Sequence, residues 1–254
     1  MSTGDDEQIG RLLGRREAVR LLGMAGVAAF GVACGRGGGD ERALPSRSPA
    51  APSTPGATSG LPGCVVRPEL TEGPFFVDEK LDRSDIRSDP SGGNDADGVP
   101  LELTFVVSQV GSAGCTPLVG ATVDVWHCDA QGRYSDEEQN GTVGQRFLRG
   151  YQTTDRRGHA TFTTIYPGWY QGRTVHIHFK IRTADGHDFT SQLFFDDSVT
   201  DEVFAKSPYK EKGERDVRNP DDAIFGQSGG QLTLEARTNG ATYEAFFPIG
   251  LDLS

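Results

Sequence analysis

The sequence predicts an all-β protein: a two-sheet antiparallel β-sandwich with long irregular loops, preceded by an N-terminal signal and a tether. Three observations carry this. Short stretches alternate apolar and polar residues with period two, the pattern of half-buried strands. Thirty-four glycines and fourteen prolines in 254 residues supply many turns. After residue 40 no run with helical period is comparably strong.

Taken in order, residues 1–34 read as an address rather than as fold. A polar start carries Arg15-Arg16, and residues 21–34 are then apolar and rich in small side chains. That run is about fourteen residues, short of the roughly twenty a bilayer-spanning helix needs. It fits an export signal of the twin-arginine kind. Val32-Ala33-Cys34 resembles the end of a bacterial lipoprotein signal, with Gly31 where a large aliphatic is usual. Lipid on Cys34 would anchor the exported protein to the outer face of a membrane. Residues 35–63 are Gly, Pro, Ser and Ala with few aliphatic side chains, the composition of a flexible tether. Residues 64–254 form the folded domain.

Within that domain, strands are expected at 101–107, 119–127, 159–165, 175–181, 189–195, 231–236 and 242–247. Turn sequences such as Asp129-Ala130-Gln131-Gly132 and Asp155-Arg156-Arg157-Gly158 separate them. The charged, turn-rich stretch 205–230 reads as a surface excursion near one end of the sandwich. A net charge of −11 excludes a nucleic-acid-binding surface, which needs clustered Lys and Arg.

Besides Cys34, the cysteines are Cys64, Cys115 and Cys128, enough for one disulfide and one free thiol. Cys115 and Cys128 stand at opposite ends of roughly 20 Å of extended chain, beyond disulfide reach. Cys64 bridged to one of them is the expectation. With no C-x-x-C pair, thiolate metal binding is not indicated.

The chemistry concentrates around residues 166–179. In the strand Val175-His176-Ile177-His178-Phe179, residues two apart share a face at roughly 7 Å, so His176 and His178 present adjacent imidazoles. Alone, such a pair is compatible with ordinary strand histidines. Tyr170 lies in the loop before it, and Tyr134 just beyond a strand end and a tight turn. Two imidazoles and two phenolates suit a hard, highly charged ion, Fe(III) rather than Zn(II) or Cu(I). His127 reads as a hydrogen-bonded strand residue, Tyr166 as pocket wall or packing, and His159 and His187 as solvated turn residues. Arg146, Arg149, Arg156 and Arg157 form a cluster that could attract an anionic substrate, but in an acidic protein they read as partners of nearby carboxylates.

Four blocks in order then carry a family resemblance: Thr71-Glu72-Gly73-Pro74-Phe75-Phe76, residues 117–134, residues 166–179, and Ser191-Gln192-Leu193-Phe194-Phe195. The chain resembles the intradiol ring-cleavage dioxygenases, the non-haem Fe(III) family of the catechol 1,2- and protocatechuate 3,4-dioxygenases. The resemblance implies that Tyr134, Tyr170, His176 and His178 ligate iron. It implies that Tyr170 is the tyrosinate that leaves the metal and accepts a diol proton. It places Arg173 over the substrate ring, with Gln192 beside it, and implies a small aromatic diol and O2 as substrates and a muconate-type diacid as product.

Two departures limit the analogy. The loop from Tyr170 to His176 is shorter than in the protocatechuate enzymes, with Gln171 in place of an aromatic. The N-terminal helical dimerisation segment of the catechol enzymes is also missing from residues 64–254. The chain is most similar to exported, single-domain members. The competing class is an exported β-sandwich module that binds aromatics or carbohydrate without turnover. The complete set of Tyr134, Tyr170, His176, His178 and Arg173 speaks against it. A zinc or copper protein using the two histidines alone leaves both tyrosines without a role.

Overall fold

The computed structural model describes residues 65–253, apart from 94 and 113. The expected signal and tether, with Cys34 and Cys64, lie outside the described residues. Ten strands follow: β1 Pro100–Gly111, β2 Gly114–Pro117, β3 Thr122–Trp126, β4 Arg149–Thr153, β5 His159–Ile165, β6 His176–Arg182, β7 Asp188–Phe195, β8 Thr233–Leu234, β9 Arg237–Asn239 and β10 Thr242–Asp252. Two short helices, α1 Asp197–Phe204 and α2 Ala223–Ser228, stand between β7 and β8.

One sheet runs β2-β1-β10-β9 with β5 on the free half of β1, and the other runs β4-β3-β6-β7-β8. The expected sandwich is present, but its sheets are mixed rather than antiparallel. β1 pairs with β10 in parallel, as does β7 with β8. Alternation marks which residues face the core. It does not encode which distant strand becomes the neighbour, and β1 and β10 meet across almost the whole domain.

All seven expected strands exist, although the one at 231–236 shrinks to the two residues of β8. β2, β4 and β9 add to them. β4 reads Arg-Gly-Tyr-Gln-Thr, with a buried arginine and no apolar alternation to betray it.

The core lies between the sheets, where aromatic side chains meet. Phe105 of β1 sits with its ring centroid 5.1 Å from that of Phe179 on β6, and within 6.1 Å of Phe162 and 5.9 Å of Phe247. On β6, Ile177, Phe179 and Ile181 face this core. His176 and His178 therefore occupy the opposite face, covered not by the other sheet but by loops. A second, smaller apolar cluster forms there from Trp126, Cys128 and Tyr134, with Phe75, Phe76 and Tyr170 against it.

The stretch 205–230 corrects the sequence reading. It is not a plain surface excursion, because it carries α2 and buries Tyr209, Asn219 and Asp222. The Asp222 carboxylate caps α2 by accepting from the Ile224 and Phe225 N–H groups, and Gly229 ends it in the left-handed region at φ 56°.

Cys115 is disulfide-bonded, while Cys128 is free and buried. No helix among the described residues is long and apolar enough to cross a membrane.

Phe105 is fully buried at the meeting of four aromatic rings. Phe105→Ala should lower unfolding free energy by about 3–5 kcal/mol, read from the denaturant midpoint, because the cavity adds to the lost transfer energy. A shift below about 1 kcal/mol would mean that the sheets do not pack through this residue.

Candidate metal centre

β6 positions the two imidazoles. His178 stands in register between Trp126 on β3 and Gln192 on β7, and His176 opposite Phe194. The Trp126 indole stacks on the His178 ring at 5.1 Å and 10°. Gly73, at φ 72°, covers the other side: a Cβ there would lie 3.2 Å from His178 Cε1. This explains the glycine of the Thr71–Phe76 block, since a larger residue would press on the imidazole.

The tautomer of His176 is fixed. Its Nδ1 donates to the Thr174 carbonyl at 2.7 Å, and a carbonyl can only accept. Its Nε2 thus turns a lone pair into the site, 3.1 Å from His178 Nε2 and 3.1 Å from the Tyr170 hydroxyl oxygen.

The two phenols arrive on loops docked backbone to backbone. Asp129 shapes the first. Its Oδ1 accepts from the Gln131 and Arg133 N–H groups, each at 2.9 Å, and Gly132 completes the turn at φ 78°. A Cβ on Gly132 would overlap the Trp169 carbonyl oxygen, and one on Gly168 would lie 2.5 Å from the carbonyl oxygens of both Asp129 and Ala130. Lys212 fastens the pair, donating from Nζ to the Gln131 and Trp169 carbonyls at 2.5 Å each. Tyr134 leaves this junction fully buried, stacked on Phe75 at 4.2 Å and 5.7 Å from the Tyr170 ring. Its hydroxyl has no hydrogen-bond partner. Tyr170 is partly exposed and is the phenol nearest solvent.

The structure thus brings together all six residues singled out from the sequence. Arg173 donates from Nη2 to Gln192 Oε1 at 2.7 Å, and Gln192 Nε2 donates to the Thr71 carbonyl at 2.8 Å. Arg173 also pairs through Nε with Asp222 at 2.8 Å. Three residues escaped the sequence reading. Asp222 and Lys212 come from the stretch read as a surface excursion. Arg149, read as a carboxylate partner, is instead buried and donates to Ser135 Oγ, the Ser135 carbonyl and the Phe75 carbonyl. It ties the Tyr134 loop to the entry segment. The readings of Tyr166 and His127 hold: Tyr166 is buried with its hydroxyl on Thr200, and His127 bonds the Cys128 carbonyl and Thr164. His187 is exposed, as expected, whereas His159 is half-buried at the start of β5.

Burial governs the electrostatics. It lowers His176 to about 3, with the nearby Arg173 charge adding to the effect. His178 is held well below its usual range, by burial first and then by His176. Burial pushes Tyr134 well above the ordinary phenol range. Tyr170 is raised to about 12, burial outweighing the opposing pull of Arg173. The neutral His176 imidazole, with its lone pair turned inward, is ready to bind a cation, and phenols this buried ionise near neutral pH only beside one.

Among the described residues no group of three or more His, Cys, Asp and Glu could hold a metal. A metal at this site therefore draws on the phenols. The unbonded Tyr134 hydroxyl and the crowding of Tyr170 Oη and two Nε2 atoms fit a hard trivalent cation with four N and O donors.

Residues 71–222 match the family model described as Dioxygenase. Catechol 1,2-dioxygenase 1 of Acinetobacter lwoffii is 28% identical over 175 residues, which are 62% of this chain and 53% of that protein. The chain spans about half the length of several curated relatives it matches. Among solved structures, an intradiol ring-cleavage dioxygenase from Tetranychus urticae superposes with a TM-score of 0.66 at 31% identity, over 74% of this chain and 95% of that one. The dioxygenase domain of a dioxygenase–carbohydrate-binding fusion from Streptomyces sp. SirexAA-E gives 0.55 at 32%, over 75% of this chain and 100% of that one. The chain belongs to the intradiol ring-cleavage dioxygenase family.

Three buried histidines give a pH signature in the metal-free protein. His127 is lowered to about 4 and His176 to about 3, both by burial, with His178 lowered as well, from a usual 6.5. Below 6.5 the unfolded chain binds protons that the folded one refuses, so stability falls as pH drops; above 6.5 these groups contribute no pH dependence. Each should remove about 1.4 kcal/mol per pH unit until its folded-state value is reached. Denaturant unfolding at about pH 7.5 and about pH 5.5 checks this, and equal stabilities would contradict the buried neutral state.

Proposed function

We propose that this protein is a non-haem Fe(III) intradiol dioxygenase. It cleaves a catechol-type diol between its two hydroxyl-bearing carbons with O2 and yields a muconate-type diacid. One observation carries the proposal: Tyr170 Oη, His176 Nε2 and His178 Nε2 crowd within 3.1 Å contacts beside the unbonded, buried Tyr134 hydroxyl. A binding module has no use for such a set. Membership of the family supports the same reading.

Tyr134, Tyr170, His176 and His178 would hold the iron. When bound, the ferric ion supplies Lewis acidity and a fixed template for the diol oxygens. Tyr134 is sealed behind Phe75 and serves as the permanent phenolate. Tyr170, partly exposed, is the phenol that can swing away, and its Oη is the base that receives a diol proton. Arg173 sits on the solvent side with 18% of its side chain exposed, held at Nε and Nη2. A guanidinium fixed in advance stabilises negative charge arising on the ring without reorganising. Gln192, fully buried, holds that guanidinium and is in turn held by the Thr71 carbonyl.

We also propose that the protein works outside the cytoplasm, through the signal-like residues 1–34 and a lipid on Cys34. The disulfide at Cys115 is in keeping with an oxidising compartment.

Iron-loaded protein should be reddish from phenolate-to-iron charge transfer, and added catechol should shift the colour. Tyr134→Phe should abolish the colour or iron retention, and Arg173→Ala should keep iron but lose turnover by about 100-fold or more. Visible spectra and oxygen uptake across a panel of diols measure both. A colourless protein with a full complement of iron would refute the reading.

A further inference from the structure

We propose that Asp222 is a positioning residue for Arg173, setting the plane in which the guanidinium meets a bound diol. The proposal rests on the ferric dioxygenase reading and adds to it a residue from outside the four sequence blocks.

The Asp222 side chain is 1% exposed and both its oxygens are fully engaged. Oδ1 accepts from Ile224 N at 2.8 Å and Phe225 N at 2.9 Å. Oδ2 accepts from Arg173 Nε at 2.8 Å and Thr174 N at 2.9 Å. One carboxylate thus joins the cap of α2 to the arginine of the site. The guanidinium is a rigid planar fork, so fixing Nε by Asp222 and Nη2 by Gln192 fixes its plane. Neither contact uses Nη1.

Helix capping alone does not explain an aspartate here. A cap needs one oxygen, and Ser or Asn serves as well. A carboxylate this buried is costly unless a cation pairs with it, and Arg173 is that cation. Asn219 separately holds the Thr174 hydroxyl at 2.7 Å, so the approach to β6 does not depend on Asp222 alone. The Phe225 ring meets Phe194 at 5.2 Å, which anchors α2 to β7 beside Gln192. Segment 205–230 thereby delivers its carboxylate to a defined place.

Two substitutions separate the roles. In Asp222→Asn, an oxygen turned to Ile224 and Phe225 keeps the cap, but the amide N–H groups then face the Arg173 Nε–H. In Asp222→Ser, the hydroxyl caps α2 and falls short of Arg173. Both variants, Arg173→Ala and the Asp222→Asn/Arg173→Ala double variant are compared with wild type after loading with Fe(III). The single Asp222 variants should keep iron content, the visible band and its shift on adding catechol, and the metal-free thermal midpoint within a few degrees. Their kcat should fall by about 100-fold with little change in KM, the scale of a reacting group displaced by about 1 Å. The double variant should be no slower than Arg173→Ala alone, since both changes remove one interaction.

Unchanged kcat in Asp222→Asn and Asp222→Ser would overturn the proposal. So would loss of the visible band, which would route the effect through Thr174 and His176. So would a double variant slower than Arg173→Ala by the full factor of the Asp222 change. Wild-type protein that holds iron without colour or turnover would instead remove the ferric reading itself, and this inference with it.

Discussion

The site depends on the contact between two loops whose backbones touch. Gly132 packs on the Trp169 carbonyl and Gly168 on the Asp129 and Ala130 carbonyls, with Lys212 bridging the junction. No side chain fits between them, so the two tyrosines they carry cannot drift apart without separating main chain from main chain. β6 contributes the other half, since a strand holds its alternate residues on one face with little freedom. A rigid strand and a locked pair of loops together bring four donor atoms to one place. This is how a site on the outer face of a sheet achieves the precision usually found in a core.

The surroundings explain the choice of donors. Trp126, Phe75, Phe76 and Cys128 make the pocket apolar, and burial keeps its imidazoles neutral and its phenols protonated. The positive side chains close by are each engaged: Arg149 and Lys212 by backbone carbonyls, Arg173 by Asp222, and Lys180 by Glu72. Ionising both phenols therefore calls for a cation among them. A trivalent ion meets that demand better than a divalent one, because its higher charge depresses the pKa of each buried phenol more strongly and suits hard phenolate oxygen.

Much of this was legible in the sequence, and what was not has a physical reason. The period-two pattern showed the strands and put His176 and His178 on one face. The turn at 129–132 placed Tyr134 at a strand end. Parallel pairing of β1 with β10 was invisible, because the mixed character of the sheet follows from which distant strands become neighbours. Asp222, Asn219 and Lys212 were invisible for a related reason. Each acts across at least 43 residues of sequence, from a stretch whose charge and turns are those of an ordinary solvated loop. Arg149 was read by its charge, yet it works as a buried donor to main-chain carbonyls, a role that leaves no local signature.

The central claim is that two phenols and two imidazoles from three separate segments bind one ferric ion. A crystal structure of the iron-loaded protein, with anomalous scattering collected at the iron edge, tests it most directly. The account predicts a single strong peak bonded by Tyr134 Oη, Tyr170 Oη, His176 Nε2 and His178 Nε2. A peak held by the two histidines alone, with both hydroxyls out of bonding range, or one elsewhere on the domain, would contradict it.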